Sequence, residues 1–283
     1  MTVQSALREG QSALFYAEVD TPVLDAAVLL AAALGWSKER LLSSLPDPVA
    51  DAEIERYMSY IDLRCAGKPV SYIRRKKEFY SLEFYVDERV LVPRPDTETL
   101  VEEALNLLRS LPGRPRVHDT CAGSGCVAVT LAHELPGLVV SASDISAAAG
   151  EVLQINARSL LGRELTFFRS DLLESVPGCF DLITANPPYL SGKEVDELRK
   201  IGWPEPELAL NGGLTGLDLG QRLLDQAPAK LNPGGWLLME AAPQQISVLT
   251  DRAREAGYAA VRTCADLAGR PRVLAAGTRE QNR

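Results

Sequence analysis

The sequence predicts an α/β fold: a doubly wound, mostly parallel sheet closed by a terminal antiparallel strand, preceded by a small all-helical domain and a β-hairpin. Three observations carry this. Apolar residues before about position 75 recur at helical spacing. From Arg116 onward, strand-like runs alternate with helical ones, the pattern of a parallel sheet with crossovers. Several of those runs end in Asp or Asn where the chain must turn, which is where ligands bind in open α/β sheets.

The boundaries read as a helical domain over residues 1–75, a hairpin linker over 76–95 and a catalytic-type domain over 96–283. In the first, Leu24, Ala27, Val28, Ala31 and Leu34 form one stripe, with Gly35 as its C-cap. Pro46-Asp47-Pro48 is a turn, and Ile54, Tyr57, Met58, Ile61 and Leu63 form a second stripe. Such stripes are core rather than a cofactor site. The basic run Arg74-Arg75-Lys76-Lys77 reads as a solvated connector; contact with an acidic partner or RNA is the alternative. Residues 78–93 alternate as β-strands, and a helix from Glu98 through Leu105 opens the larger domain.

Arg116 through Ala132 reads as strand, glycine turn and helix, with the turn at Cys121-Ala122-Gly123-Ser124-Gly125. Gly123 and Gly125 let backbone approach a ligand, and the helix start offers free N–H groups. The G-x-G-x-x-G order of dinucleotide sites is absent, and no Gly-Lys-Ser/Thr follows. Asp119 ahead of the turn suits a cationic ligand better than a pyrophosphate. A second strand ends in Asp144, about twenty residues on, placed to accept from ribose hydroxyls. A third ends in Asp171, placed for an adenine amino group. Each Asp could instead cap a helix.

After the strand Phe180–Ala185 comes Asn186-Pro187-Pro188-Tyr189. The prolines lack N–H groups, so carbonyls here can face a cleft beside the Asn186 side-chain oxygen. Asn186 Oδ1 and the Pro187 carbonyl can each accept one hydrogen of a planar –NH2, and Tyr189 can stack on it. A turn with an incidental Tyr is the bland alternative. The ordered series of glycine loop, Asp144, Asp171 and Asn-Pro-Pro-Tyr points to S-adenosylmethionine facing an amine or amide acceptor. Further on, Leu231-Asn232-Pro233-Gly234-Gly235 reads as a turn before a late strand, and Val261–Thr263 with Arg272–Ala276 as the terminal antiparallel pair. His118 and His133 stand outside these motifs and read as structural.

Composition agrees. The chain has 283 residues, 46% of them hydrophobic, and a net charge of −8, which disfavours non-specific phosphate binding. No run is apolar enough to span a membrane, the N-terminus lacks a signal-peptide core, and five scattered cysteines without a C-x-x-C pair suggest reduced thiols in a cytoplasm and no metal site.

The segments resemble the N(5)-glutamine methyltransferases of peptide chain release factors over nearly the whole chain. Leu24–Ala31, the helix-ending Gly67-Lys68-Pro69-Val70-Ser71-Tyr72-Ile73, Phe79–Val86 and above all Val90-Leu91-Val92-Pro93-Arg94-Pro95-Asp96-Thr97-Glu98 carry the resemblance. It implies a Rossmann-like, cytoplasmic enzyme that transfers a methyl group from S-adenosylmethionine, leaving S-adenosylhomocysteine, to the Gly-Gly-Gln glutamine of class I release factors. Residues 1–75 would recognise that protein substrate. Asp119, the loop from Cys121 to Gly125, Asp144, Asp171, Leu172 and Asn186 would hold the cofactor. Asn186, Pro187, Pro188 and Tyr189 would hold the substrate, with Asn186, Pro187 and Tyr189 catalytic. Neither a membrane nor stable nucleic-acid binding is expected. The family pattern has Gly where Cys121 stands, which requires a negative φ there; an aromatic where Leu172 stands; and Gly after Glu240, where Ala241-Ala242 follow. Adenine or guanine amine methyltransferases share the tetrapeptide, but usually with a basic, aromatic-bearing recognition domain. A non-catalytic cofactor-binding protein is the third class, and the intact acids and tetrapeptide argue against it.

Overall fold

The computed structural model describes residues 1–280, and the chain divides into two compact units. The first comprises Met1–Lys76 with Gly202–Pro204, the second Lys77–Ile201 with the remainder from Glu205.

The first unit is helical: α1 (Val3–Tyr16), α2 (Pro22–Leu34), α3 (Lys38–Ser43), α4 (Asp51–Cys65) and α5 (Val70–Arg74). Thr2 and Ser5 form a capping box at α1, and Pro22 at the first turn of α2 loses no hydrogen bond there. Gly35 ends α2 at φ +64°, as a left-handed cap. The stripe expected on α2 is displaced. Asp25, Ala26, Leu29, Leu30, Ala33 and Leu34 face inward, while Leu24 is exposed. The helix is apolar nearly all round, so periodicity alone did not select the face. Asp25 is tolerated inside because its oxygens accept from Thr21 Oγ1 and Arg64 Nε at 2.9 and 2.7 Å. On α4, Tyr57 and Ile61 are buried but Leu63 is exposed.

The second unit opens with a short hairpin, β1 (Lys77–Phe79) and β2 (Leu82–Phe84), turned at Tyr80 and Ser81, both at positive φ. The strands expected as far as residue 93 stop at Phe84. Beyond it the chain runs irregularly, held by the Asn156 side chain, which exchanges hydrogen bonds with both backbone groups of Tyr85. Then follow α6 (Glu98–Leu108), β3 (Arg116–Thr120), α7 (Cys126–Glu134), β4 (Val139–Asp144), α8 (Ala147–Leu161), β5 (Thr166–Arg169), β6 (Phe180–Ala185), α9 (Gly192–Lys200), α10 (Asp218–Gln226), β7 (Leu231–Glu240), α11 (Ile246–Glu255), β8 (Ala260–Ala265) and β9 (Pro271–Gly277).

The sheet order is β5-β4-β3-β6-β7-β9-β8, with only β9 antiparallel to its neighbours. Asn232-Pro233-Gly234-Gly235 lies within β7 instead of forming a turn before it. The strand tolerates these residues because its pairing with β6 is irregular there. Alternation assigns side chains to two cores. Leu182, Leu238, Val273 and Ala275 pack with α6, α7 and α8; Ile183, Leu237, Met239, Leu274 and Ala276 pack with α10 and α11. The winding direction reverses between β3 and β6, so their carboxyl ends part around a crevice.

Candidate active site

The crevice holds a cleft of about 290 Å³, the size of a small-molecule site. Asp119, Cys121, Ala122, Gly123, Ser124, Asp144, Asp171, Leu172, Asn186 and Pro188 line it. Gly125, Pro187 and Tyr189 do not. Gly125 lies at φ +78° ahead of α7, and a Cβ there would come within 2.6 Å of Leu153 Cγ. Its absent side chain therefore serves helix packing.

Asp119 is buried at the end of β3. Its Oδ1 accepts from Thr184 Oγ1 of β6 at 2.8 Å, and its Oδ2 from Ala128 N of α7 at 3.3 Å. Burial pushes its pKa up to about 7, against the pull of those two hydrogen bonds. No cationic side chain forms an ion pair with it among the described residues. Asp144 holds the loop itself. Its Oδ2 accepts from Gly123 N and its Oδ1 from Ser146 N, both at 2.9 Å. Burial raises its pKa and the backbone donors lower it. The cap of α8 is Ser146, which accepts from Ala149 N, so Asp144 does not cap it. Each carboxylate oxygen keeps a further lone pair for a ligand.

Asp171 is half-exposed and accepts from Arg222 Nη2 at 2.8 Å; that guanidinium also reaches Glu174. Arg222 lines the cleft and escaped the sequence analysis. Leu172 is buried at φ +49°, and its carbonyl accepts from Thr120 and Ser143 hydroxyls. The negative φ required of Cys121 is not found: it lies at +58°, in the left-handed region. Burial raises its thiol pKa, so the group stays neutral. His118 is buried between Ser141 and Ser143, one hydroxyl at 2.9 Å from each ring nitrogen, and burial pushes its pKa down to about 3. Both nitrogens are engaged by the strand beside it. His133 Nδ1 pairs with Glu134 on the surface.

Asn186 Nδ2 donates to Thr97 Oγ1 at 3.1 Å, which leaves Oδ1 as the other face of the amide. Pro187 is buried; the Tyr189 carbonyl accepts from Gln245 Nε2 at 2.8 Å. The same Gln245 nitrogen donates to Gly216 O, tying the tetrapeptide to a segment the sequence analysis passed over. Leu190 N donates to Leu210 O, and Gly212 N to Leu190 O at 2.8 Å. A Cβ on Gly212 would sit 2.6 Å from Pro188 O, so only glycine permits this approach. The cluster Asn211-Gly212-Gly213-Leu214-Thr215-Gly216 was the available signal. Asn211 also lines the cleft.

The segment bearing Pro93-Arg94-Pro95-Asp96-Thr97 forms the opposite wall. Glu205 accepts from Val92 N and Arg94 Nη2, and Arg272 Nη2 pairs with Asp96 at 2.6 Å. Ala241 and Ala242 are buried without crowding the cleft, and Ala241 N donates to Arg272 O. Two desolvated acids facing a cleft fit a ligand that brings positive charge and hydroxyl donors, as S-adenosylmethionine does.

Two family models match the chain, the PrmC N-terminal domain over residues 5–74 and the methyltransferase small domain over residues 99–201. A release factor glutamine methyltransferase of Moorella thermoacetica is 40% identical over 284 residues, covering 99% of this chain and 100% of the relative. One of Bradyrhizobium diazoefficiens is 37% identical, covering 97% and 94%. Among solved structures, the T. thermophilus 16S rRNA N2 G1207 methyltransferase in complex with AdoMet and guanosine superposes with a TM-score of 0.53 at 22% identity, over 72% of this chain and 50% of that one. That likeness concerns the fold.

The Cys121 backbone generates a prediction. A side chain in the left-handed region costs about 1–2 kcal/mol, while a glycine adds about 0.5–1 kcal/mol of backbone entropy cost. Cys121→Gly should therefore leave unfolding stability unchanged or raise it by up to about 1.5 kcal/mol. Affinity for S-adenosylmethionine should stay within about tenfold of the parent by calorimetry. Abolished binding in a folded variant would show that the thiol itself is needed.

Proposed function

The chain belongs to the release factor glutamine methyltransferases, and from that premise we propose how its cleft performs the reaction. It is an S-adenosylmethionine-dependent enzyme that methylates a release factor glutamine. The observation that carries the site assignment is the shared edge: Asp119, Asp144 and Asn186 all close strands of one sheet and line one cleft.

When bound, S-adenosylmethionine supplies an electrophilic sulfonium methyl. In our reading Asp144 accepts from the ribose hydroxyls with its remaining lone pairs, and Asp171 and Leu172 receive the adenine. Asp119 faces the positively charged part of the cofactor, which favours its ionised form. The glycine loop supplies backbone N–H groups along the same wall.

A carboxamide nitrogen is a poor nucleophile because its lone pair is delocalised. In this reading Asn186 Oδ1, on the cleft wall, accepts one of its hydrogens, which orients the nitrogen and turns its lone pair toward the reacting carbon. Pro187 is buried off the cleft lining, so its carbonyl accepts the second hydrogen only if the tetrapeptide shifts on binding. Alignment of this kind contributes up to about 7–11 kcal/mol in ideal systems. The accepting oxygens also stabilise positive charge as it grows on nitrogen. The extra proton can leave after transfer, so no strong base is required. His118, neutral and held by two serines, is not poised as one.

The finer substrate is the glutamine of a Gly-Gly-Gln segment in class I release factors, in the cytoplasm, without stable nucleic-acid binding. The net charge of −8 supports a protein rather than RNA acceptor. No helix among the described residues is long and apolar enough to cross a membrane. The helical unit serves recognition in this reading. Its exposed Phe15 and Tyr16, 68% and 84% accessible, supply aromatic anchors of the kind enriched at interfaces. Replacing both by Ser should raise KM for the release factor roughly tenfold, the effect of about 1.4 kcal/mol, with unchanged cofactor affinity. An unchanged KM would remove these residues from the docking surface.

The direct test is tritiated methyl transfer to purified class I release factors, with a Gln-to-Ala acceptor and bulk RNA as controls. Label should enter only the intact factor; labelled RNA would overturn the assignment. Within that assay Asn186→Ala should lower kcat roughly a hundredfold, as loss of a preorganised hydrogen-bonding group does. Asn186→Asp keeps an acceptor but adds charge that also stabilises the ground state. It should bind S-adenosylmethionine at least as well as the parent and turn over more slowly. Parental rates in both variants would reduce Asn186 to a turn residue.

A further inference from the structure

Glu240 is the most deeply buried acid near the tetrapeptide, and no step above uses it. It ends β7 at 1% exposure, one residue past Met239, which pairs in register with Ala185. That places it alongside Asn186, and its carboxyl lies beside both the Asn186 and Thr97 side chains. Its Oε2 makes no hydrogen bond among the described residues. Thr97 is itself buried, at 2% exposure, and accepts from Asn186 Nδ2 at 3.1 Å.

A threonine hydroxyl both donates and accepts, so Thr97 alone suits either orientation of the Asn186 amide. The choice matters. One orientation offers Oδ1 to an incoming –NH2; the other offers a second –NH2, with nothing to accept from either. An acceptor that takes the Thr97 hydrogen removes the ambiguity, because Thr97 can then only accept from Asn186. The neighbouring Glu240 carboxyl is such an acceptor.

We propose that Thr97 and Glu240 are positioning residues that lock the Asn186 amide with Oδ1 toward the acceptor, Asn186 Nδ2 donating to Thr97 and Thr97 donating to Glu240. Glu240 does not line the cleft, so contact with a ligand does not account for it, whereas Thr97 lines the cleft beside Asn186. The long separation in sequence makes the arrangement invisible before folding. Arg272 anchors the same corner: its Nη2 pairs with Asp96, one residue before Thr97, and its Nε is buried without a hydrogen bond among the described residues.

The lock has a protonation condition. Burial pushes the Glu240 pKa up to about 7, while Thr97, Arg272 and Asn186 pull it down and Asp96 pushes it up. Cys126 and Tyr189 also face it, both with pKa values raised first by burial and so neutral. Below its pKa, Glu240 carries a hydrogen and can donate to Thr97. Thr97 would then donate to Asn186 Oδ1, and the amide would turn the wrong way. Turnover at saturating cofactor should therefore fall as pH drops through about 7, and Glu240→Gln, which cannot titrate, should lack this acid limb.

The proposal rests on Asn186 as the amide-accepting group, so the test carries one readout that needs no acceptor. Hydrogen exchange of the Asn186 side-chain –NH2, followed by NMR in the full-length protein, should be slow in the parent and in Thr97→Ser. It should be roughly tenfold or more faster in Thr97→Val, with unchanged S-adenosylmethionine affinity. In the methyl-transfer assay Thr97→Val should lose roughly ten- to a hundredfold in kcat with little change in KM, and Thr97→Ser should recover most of it. Parental exchange in a folded Thr97→Val overturns the lock whatever the substrate is. An exchange change as expected, in a parent that does not label release factor, would keep the lock and overturn the functional reading instead. An acid limb that persists in Glu240→Gln would remove Glu240 from the chain of hydrogen bonds.

Discussion

A buried carboxylate, Asp119, fixes the relation between the two halves of the sheet. One oxygen accepts from Thr184 on β6 and the other from the backbone of α7, so β3, β6 and the helix after the glycine loop share one anchor. The register agrees, since Asp119 pairs with Thr184 and Thr120 with Ala185. These bonds span the point where the sheet reverses its winding. The loop at Cys121–Gly125 and the tetrapeptide at Asn186–Tyr189 leave from the same rim as a result. An ionised carboxylate in such a place is costly without a partner charge. The site therefore carries an unmet demand for a cation.

Around that anchor the walls are held by residues that never touch the chemistry. Glu205 grips Val92 and Arg94, Arg272 grips Asp96, and Gln245 joins Tyr189 to Gly216. Asn156 reaches both Tyr85 and the Ser124 carbonyl, linking the chain after the hairpin to the glycine loop. Each bond spans many residues in sequence. Together they join four irregular segments into one cleft, which is the preorganisation that amide alignment requires.

Much of this was legible beforehand, for a physical reason. Strand ends are where a parallel sheet must release its chain, so acids, glycines and Asn-Pro-Pro-Tyr at those positions announced the rim. The doubly wound class and the terminal antiparallel pair followed from the same alternation, while the strand order itself is visible only in the fold. What stayed hidden depends on contacts across the fold: Thr97 against Asn186 and Glu240, Arg222 on Asp171, Gly212 against Pro188. Local errors had local causes. The α2 stripe was misplaced because alanines and leucines surround that helix, and the alternation after Phe84 came from an irregular segment pinned by Asn156. Cys121 was expected at negative φ, since a side chain normally avoids the left-handed region. The loop imposes φ +58° on it instead, between Thr120, paired in the sheet, and Ala122, whose N–H donates to Ser143 O.

The anchor acid also supplies the most direct check. A free Asp119 with a pKa of about 7 is partly protonated at neutral pH, and a cationic ligand favours its carboxylate, so binding must release protons there. Calorimetry of S-adenosylmethionine binding in buffers of differing ionisation enthalpy measures that release. The account predicts a substantial fraction of a proton at pH 7, weaker binding as pH falls below 7, and neither effect in Asp119→Asn. Heats independent of the buffer at pH 7, or a release that persists unchanged in Asp119→Asn, would contradict the claim that this buried acid ties the fold to its cofactor.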